Sequence, residues 1–319
     1  MCGRYALDAD PDELIEVFDI AEIAEDSGRR ITVSRTRRSE ESDQAVLAPL
    51  DPIRHGPTRR EPTEGESTPT GLSTPTGLGT QLGAHASTGT RTDSEPHADC
   101  GQQVHNGSGA YPQWLRPRFN IAPTQTVPVV LTRGEQMPVR KLAGMYWGLV
   151  PSWSKGPGTM HRMINARVES LVDKPVYRTP LARRRCLLPA SGYFEWQHSD
   201  DKSTPSQPFY IGPVDSGLLA LAGLYDFWRS PQGEWLSSFT IITGQATREL
   251  AAIHDRRPIV LARDDWQAWL DPHMVDTDEA LALLASTSSR TLQAHAVSRR
   301  VNSPRVDDPG LIAVSDPGE

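Results

Sequence analysis

The stretch from Ser27 to Pro112 decides what the rest of this 319-residue chain can be. It contains neither Trp nor Phe, its one Tyr is Tyr111, and it carries the repeat STPTGLSTPTGLG at residues 67–79. A segment built from Ser, Thr, Gly, Pro, Arg and His has too little apolar surface to offset the entropy lost on ordering it. Residues 27–113 are therefore read as a disordered low-complexity insertion. A folded core must then be assembled discontinuously, from residues 1–26 and 114–302, with 303–319 as a flexible tail.

Within those two pieces the pattern is strand-rich. TVPVVL (126–131), MYWGLV (145–150), RCLLPA (185–190), YFEWQ (193–197), PFYI (208–211), LLALAGLYDFW (218–228) and LSSFTIITG (236–244) are short apolar or alternating runs bounded by Gly, Pro or Asp. Residues 10–18, DPDELIEVF, read as a helix. Asp10 suits the N-cap, Pro11 the first turn and Glu13 the positive end of the dipole. Further helices are expected at 164–172, 247–254, 263–270 and 277–286. More strands than helices, with the helices scattered, predicts a single α+β domain on a mainly antiparallel sheet.

Several classes drop out. The three cysteines, Cys2, Cys100 and Cys186, form no CxxC pair and no even framework, so neither a disulfide scaffold nor a zinc module is expected. No apolar run approaches the roughly 20 residues of a membrane helix. Asp8, Asp10, Asp12 and Glu13 interrupt any signal-peptide core, so a cytoplasmic, reduced protein is expected. The net charge of −7 gives no global signal for nucleic acid. Between His161 and Arg185, however, Arg162, Arg167, Lys174, Arg178, Arg183, Arg184 and Arg185 face only Glu169 and Asp173. With Trp147, Trp153 and Trp196 near in sequence, this run suits single-stranded nucleic acid, or else a solvated face.

The chain opens MCGRYAL. Removal of Met1 leaves Cys2 with an amine and a thiol on adjacent carbons. Such a cysteine can be a buried small residue, or a hydrolytic nucleophile with its own amine as base. It can also be a 1,2-aminothiol that captures an aldehyde as a Schiff base and closes it to a thiazolidine. An unperturbed amine pKa of about 7.7–8.0 keeps much of that amine neutral near pH 7. In GYFEW (192–196), strand alternation puts Tyr193 and Glu195 on one face and Phe194 and Trp196 on the other. A carboxyl among aromatic rings is raised in pKa and suited to acid catalysis. IHDRRPIVL (253–261) sets His254 beside Arg256 and Arg257, and INARVES (164–170) offers the Asn165 amide and the Arg167 guanidinium. Each of these also has an ordinary structural reading.

Taken in order, MCGRYAL, RFNIAPTQ (118–125), WGLVPSW (147–153), INARVES, RRCLLPASGYFEW (184–196) and IHDRRPIVL resemble the SRAP family of SOS-response-associated peptidases, or abasic-site processing proteins. The resemblance implies a single α+β domain with a curved, barrel-like, mainly antiparallel core. It implies that Cys2 bonds covalently to the ring-opened aldehyde of an abasic site in single-stranded DNA, with lyase-type Schiff-base chemistry, Met1 being removed either by autopeptidase action or by a housekeeping aminopeptidase. Asn165 then corresponds to the residue positioning the amine or adduct. Glu195 matches the acid that opens the sugar and shuttles protons, and His254 the histidine assisting Schiff-base chemistry and reversal. Arg4, Arg167 and Arg256 correspond to phosphate contacts, and Pro123, Trp153 and Trp196 to the shelf for flanking bases. Asn120 is given a structural role only.

No cofactor, no metal and no membrane contact is implied. The expected partner is single-stranded DNA containing abasic sites, bound by a cytoplasmic, nucleoid-associated monomer. The chain departs from the family pattern in the insertion and in Ser154, which follows Trp153 where some relatives carry a second Trp. The competing readings are an N-terminal-cysteine amidohydrolase or peptidase, and a non-catalytic single-strand-binding module.

Overall fold

In the computed structural model the described residues are 2–24, 30–32, 111–134, 136–156, 158, 163–199, 201, 203–287 and 290–316. Nearly all of the low-complexity insertion, and Cys100 within it, lies outside them. In chain order the elements are β1 (Arg4–Leu7), α1 (Pro11–Val17), β2 (Glu22–Ala24), β3 (Arg30–Thr32), β4 (Arg118–Ile121), β5 (Thr126–Arg133), β6 (Val139–Trp147) and β7 (Asn165–Arg167). There follow α2 (Pro175–Arg183), β8 (Arg185–Ala190), β9 (Gly192–Gln197), β10 (Gln207–Pro213), β11 (Leu219–Arg229), β12 (Trp235–Gln245), β13 (Arg256–Pro258), α3 (Trp266–Leu270), α4 (Thr277–Ser286) and β14 (Leu292–Ala296).

Two sheets divide these strands. β12, β11, β8, β5 and β6 are neighbours in that order, and a parallel contact between β6 and β12 closes them into a five-stranded barrel. The short strands β2, β3, β7 and β13 attach at its margins. The second sheet has the order β14-β10-β9-β1-β4 and is antiparallel throughout. The expected α+β class with a curved, mainly antiparallel core is what the chain adopts. β1 is an interior strand of that sheet, between β9 and β4, with Tyr5 opposite Tyr193 on one side and opposite Ile121 on the other. The residues at the chain's N-terminal end are thus built into the interior.

Alternation along β1 and β9 separates two cores. Tyr5, Leu7 and Tyr193 face the larger one, which includes Trp147, Phe239 and the barrel's Leu and Val residues. Trp147 meets Tyr5 edge-on at 5.3 Å between ring centroids and stacks on Phe239 at 6.3 Å. Ala6 and Phe194 face a smaller core with Tyr210, Val297, Val301 and Leu311, and Trp196 packs against it.

Three expectations are corrected, and one helix, α2, was not foreseen. The helix at 164–172 is instead β7 followed by a 3-10 turn, Val168–Ser170, because Asn165 to Arg167 pair with Ile241 to Thr243 along the edge of β12. Residues 247–254 form successive turns with helix-like bonds, such as His254 N–H to Leu250 C=O at 3.1 Å, but no continuous helix. α2 forms despite Pro180, because Tyr177, Pro180 and Leu181 are buried. The tail after Pro304 is docked rather than loose. The Asp307 carboxylate accepts the N–H groups of Phe119 and Asn120 at 2.6 and 3.1 Å, and Leu311 is fully buried.

Candidate active site

Cys2 is fully buried where the chain enters β1, with its thiol directed at the Arg4 carbonyl at 3.7 Å. Asn165 opens β7 and donates its side-chain N–H to the Cys2 carbonyl at 2.7 Å. Its Oδ1, and the hydroxyls of Tyr5 and Tyr193, are buried without a hydrogen-bond partner among the described residues. Cys2, Asn165 and the two phenols therefore make a polar pocket inside an otherwise apolar core.

Glu195 shares the inward face of β9 with Tyr193 and is 2% exposed. Burial, opposed by the positive charge of the chain's terminal amine, pushes its carboxyl up to about 7. The Cys2 thiol is also raised, first by burial and then by the Glu195 charge. Gln197, at the end of β9, donates to the Ala252 carbonyl at 3.0 Å and ties this strand to the turns that carry His254.

His254 is held below its ordinary pKa, chiefly by burial and then by the terminal amine. Its Nδ1 accepts the Arg256 backbone N–H at 2.9 Å, which assigns the neutral ring's proton to Nε2. The exposed Asp255 carboxylate lies at the same distance from that nitrogen. With the lone pair already engaged and the ring neutral, that contact is proximity rather than an ion pair.

The arginines differ in what they are free to do. Arg167 is exposed and makes no side-chain hydrogen bond or ion pair among the described residues. Arg256 grips Glu169 bidentately at 2.7 and 2.8 Å and donates to the Thr243 carbonyl at 2.8 Å. Arg4 donates to Asn120 Oδ1 at 2.9 Å and to the Val301 carbonyl at 2.7 Å. Arg4 and Arg256 thus have protein partners where the sequence reading gave them phosphates. Two members of the basic run of 161–185 are likewise taken up inside the protein. Arg184 is buried on Asp226, and Arg185 is buried on five main-chain carbonyls. Trp147, read as a stacking neighbour, is core.

Trp196 lies on the opposite face of β9 from Glu195, and its indole N–H donates to Asn302 Oδ1 at 2.8 Å. Trp153 is 72% exposed. Pro123 is half-buried in the turn after β4, before Thr124 at a φ of 74°. Asn120 has the structural role expected of it and is fully buried. Its amide donates to the carbonyls of Val301, Ser303 and Val306 at 3.3, 3.0 and 2.8 Å. Sequence reasoning missed Tyr5, Asp226 and Asp307. The alternation of MCGRYAL with GYFEW was the available signal for Tyr5; the two aspartates had none.

A buried aminothiol-forming residue with an amide at its carbonyl, a carboxyl poised near neutrality and a neutral imidazole is equipped for proton-coupled capture of an electrophile. Comparison with known proteins gives the family. The model of the SOS response associated peptidase (SRAP) family matches residues 89–304. The abasic site processing protein YoqW of Bacillus subtilis is 37% identical over 196 residues, covering 61% of this chain and 85% of that protein. The abasic site processing protein HMCES of Pongo abelii is 33% identical over 257 residues, covering 68% and 72%. A crystal structure of a Bacteroides thetaiotaomicron protein superposes with a TM-score of 0.53 at 24% identity, covering 62% of this chain and 85% of that one, and so shares the fold. This chain belongs to the SRAP family.

Proposed function

We propose that this protein processes abasic sites in DNA, and that it does so by bonding Cys2, once Met1 is removed, to the aldehyde of the ring-opened sugar in a single strand. The amine adds to the aldehyde carbon and the carbinolamine loses water to give an iminium. The thiol then adds to the iminium carbon, a C–S bond forms, and the sulfur's proton passes to a base. One water is released overall, and the product is a thiazolidine.

The observation that carries this reading is the convergence of Asn165 and Glu195 on Cys2. Asn165 fixes the Cys2 carbonyl at 2.7 Å, which orients the amine on the same residue. Glu195, pushed up to about 7, is part acid and part base at neutral pH, as sugar opening and later proton return require. His254 is neutral with its proton on Nε2, able to donate a hydrogen bond to a departing hydroxyl while the proton comes from the Glu195 carboxyl. Arg167 supplies a cation for phosphate, and Trp153, Trp196 and Pro123 supply surfaces for bases. Iminium capture starts at the amine and leaves the thiol protonated until ring closure, which a raised Cys2 thiol accommodates.

The test is incubation of the Met1-free chain with single-stranded DNA carrying one abasic site, followed by a denaturing gel. A stable adduct is expected, lost in Cys2→Ala and in a chain with a residue retained before Cys2. A stable adduct of undiminished yield from the blocked chain would overturn the assignment.

A further inference from the structure

Trp153 is 72% exposed, yet the backbone that carries it is gripped by groups that are themselves buried. The Val150 N–H donates to Ser238 Oγ at 2.9 Å, and the Ser152 N–H to Asp226 Oδ2 at 3.0 Å. The Trp228 indole N–H donates to the Ser154 carbonyl at 2.7 Å. Ser238 is fully buried, Asp226 is 3% exposed and Trp228 is 8% exposed. Ser238 pairs with Asp226 across β11 and β12, and Trp228 is two residues further along β11. The three grips therefore come from one face of one hairpin.

Asp226 is anchored in turn. Its Oδ1 accepts from the buried Arg184 guanidinium and from the Phe227 N–H at 2.7 Å. Desolvating an ion pair cancels much of its attraction, so such a pair is a poor means of adding stability. What it provides is fixed geometry, and here the geometry is spent on a loop whose most prominent side chain points into solvent.

We infer that Asp226, Ser238 and Trp228 are positioning residues that hold the Val150–Ser154 backbone so that the Trp153 indole is pre-arranged as a stacking platform for a base of the bound single strand. This rests on the DNA reading proposed above. A free loop would lose conformational entropy when a base stacks on its tip, and a loop already held by three side chains loses little. The base gains the indole surface without that opposing cost.

The experiment is a double-mutant cycle on affinity for unmodified single-stranded DNA. Trp228→Phe removes the N–H on Ser154 together with part of the indole's packing. It is expected to weaken binding about threefold to tenfold, the worth of one hydrogen bond, with the loss in affinity rather than in the saturated crosslinking rate. Ser238→Ala should act in the same sense. In a Trp153→Ala background neither change should weaken binding further. Equal losses in both backgrounds would show a general structural effect and overturn the inference. An unchanged affinity in Trp153→Ala, while Arg167→Ala binds more weakly, would overturn it and leave the DNA reading standing. No binding by the native chain would overturn both. Hydrogen exchange supplies an arm independent of DNA: the Val150 and Ser152 amides should be protected in the native chain, with Val150 losing protection in Ser238→Ala. Rapid exchange of both in the native chain would overturn the inference.

Discussion

Replacing Glu195 by Gln should stabilise the protein in mild alkali while it slows the chemistry. The carboxyl is 2% exposed, and burial lifts it from 4.5 to about 7. A raised acid binds its proton more tightly in the folded state. Its stabilising contribution is therefore complete below the unfolded pKa and is lost as pH rises through the folded one. Each pKa unit is worth about 1.4 kcal/mol, so the native chain should lose about 2.5 kcal/mol between pH 5 and pH 8 from this group alone. An amide in its place does not titrate, and the Glu195→Gln variant should lack that part of the slope. Urea unfolding of both chains at the two pH values measures it. Single-turnover crosslinking at pH 7 should fall at least about tenfold in the same variant, the lower range of what acid–base assistance supplies. Parallel pH–stability profiles for the two chains would refute the burial argument, because the carboxyl would then titrate as an ordinary exposed one.

Asn165→Ala removes the bond to the Cys2 carbonyl and should slow crosslinking with little change in affinity for intact single strands, as read by single-turnover kinetics and by titration. Arg167→Ala should weaken binding and flatten its dependence on log salt by about one unit, the mark of a single phosphate contact. Arg256→Ala should instead leave the salt slope unchanged. It should lower stability by about 1 kcal/mol or less, because its partner Glu169 is half exposed and that pair is screened. Asn120→Leu takes a partner from Arg4 and from the Ser303 and Val306 carbonyls, which are partly buried, and should cost about 1–3 kcal/mol in a urea melt.

Four of the five barrel strands were legible as apolar or alternating runs between turn residues, whereas β6 was seen only at its end, where MYWGLV (145–150) overlaps Val139–Trp147. RCLLPA coincides with β8, and LSSFTIITG lies within β12. α1 was legible from its cap, and Asp10 Oδ1 does accept the Glu13 N–H at 2.8 Å. β1 and β4 have four residues each, too few for a period to stand out, and they owe their place to neighbours far off in sequence. Charge was the least legible property. Arg184 finds Asp226 and Arg256 finds Glu169 only through the fold, so counting charges along residues 161–185 could not show that Arg184 and Arg185 are buried while Arg167 stays exposed. Within the candidate site, Cys2, Asn165, Glu195 and His254 were visible through their motifs. The supports beneath them, Asp307 on β4 and Asp226 under Trp153, carry no local mark.

The burial of Cys2 has a consequence for the protein's working life. Under the proposed chemistry a chain bonded to a lesion is out of service until released, so its sulfur must survive intact from synthesis to encounter. Peroxides and soluble electrophiles attack thiolates they can reach. A sulfur with no exposed surface, kept protonated by its apolar surroundings and by the carboxylate of Glu195, offers them neither access nor charge. Under the proposed chemistry, the same enclosure preserves Cys2 as a single-use reagent.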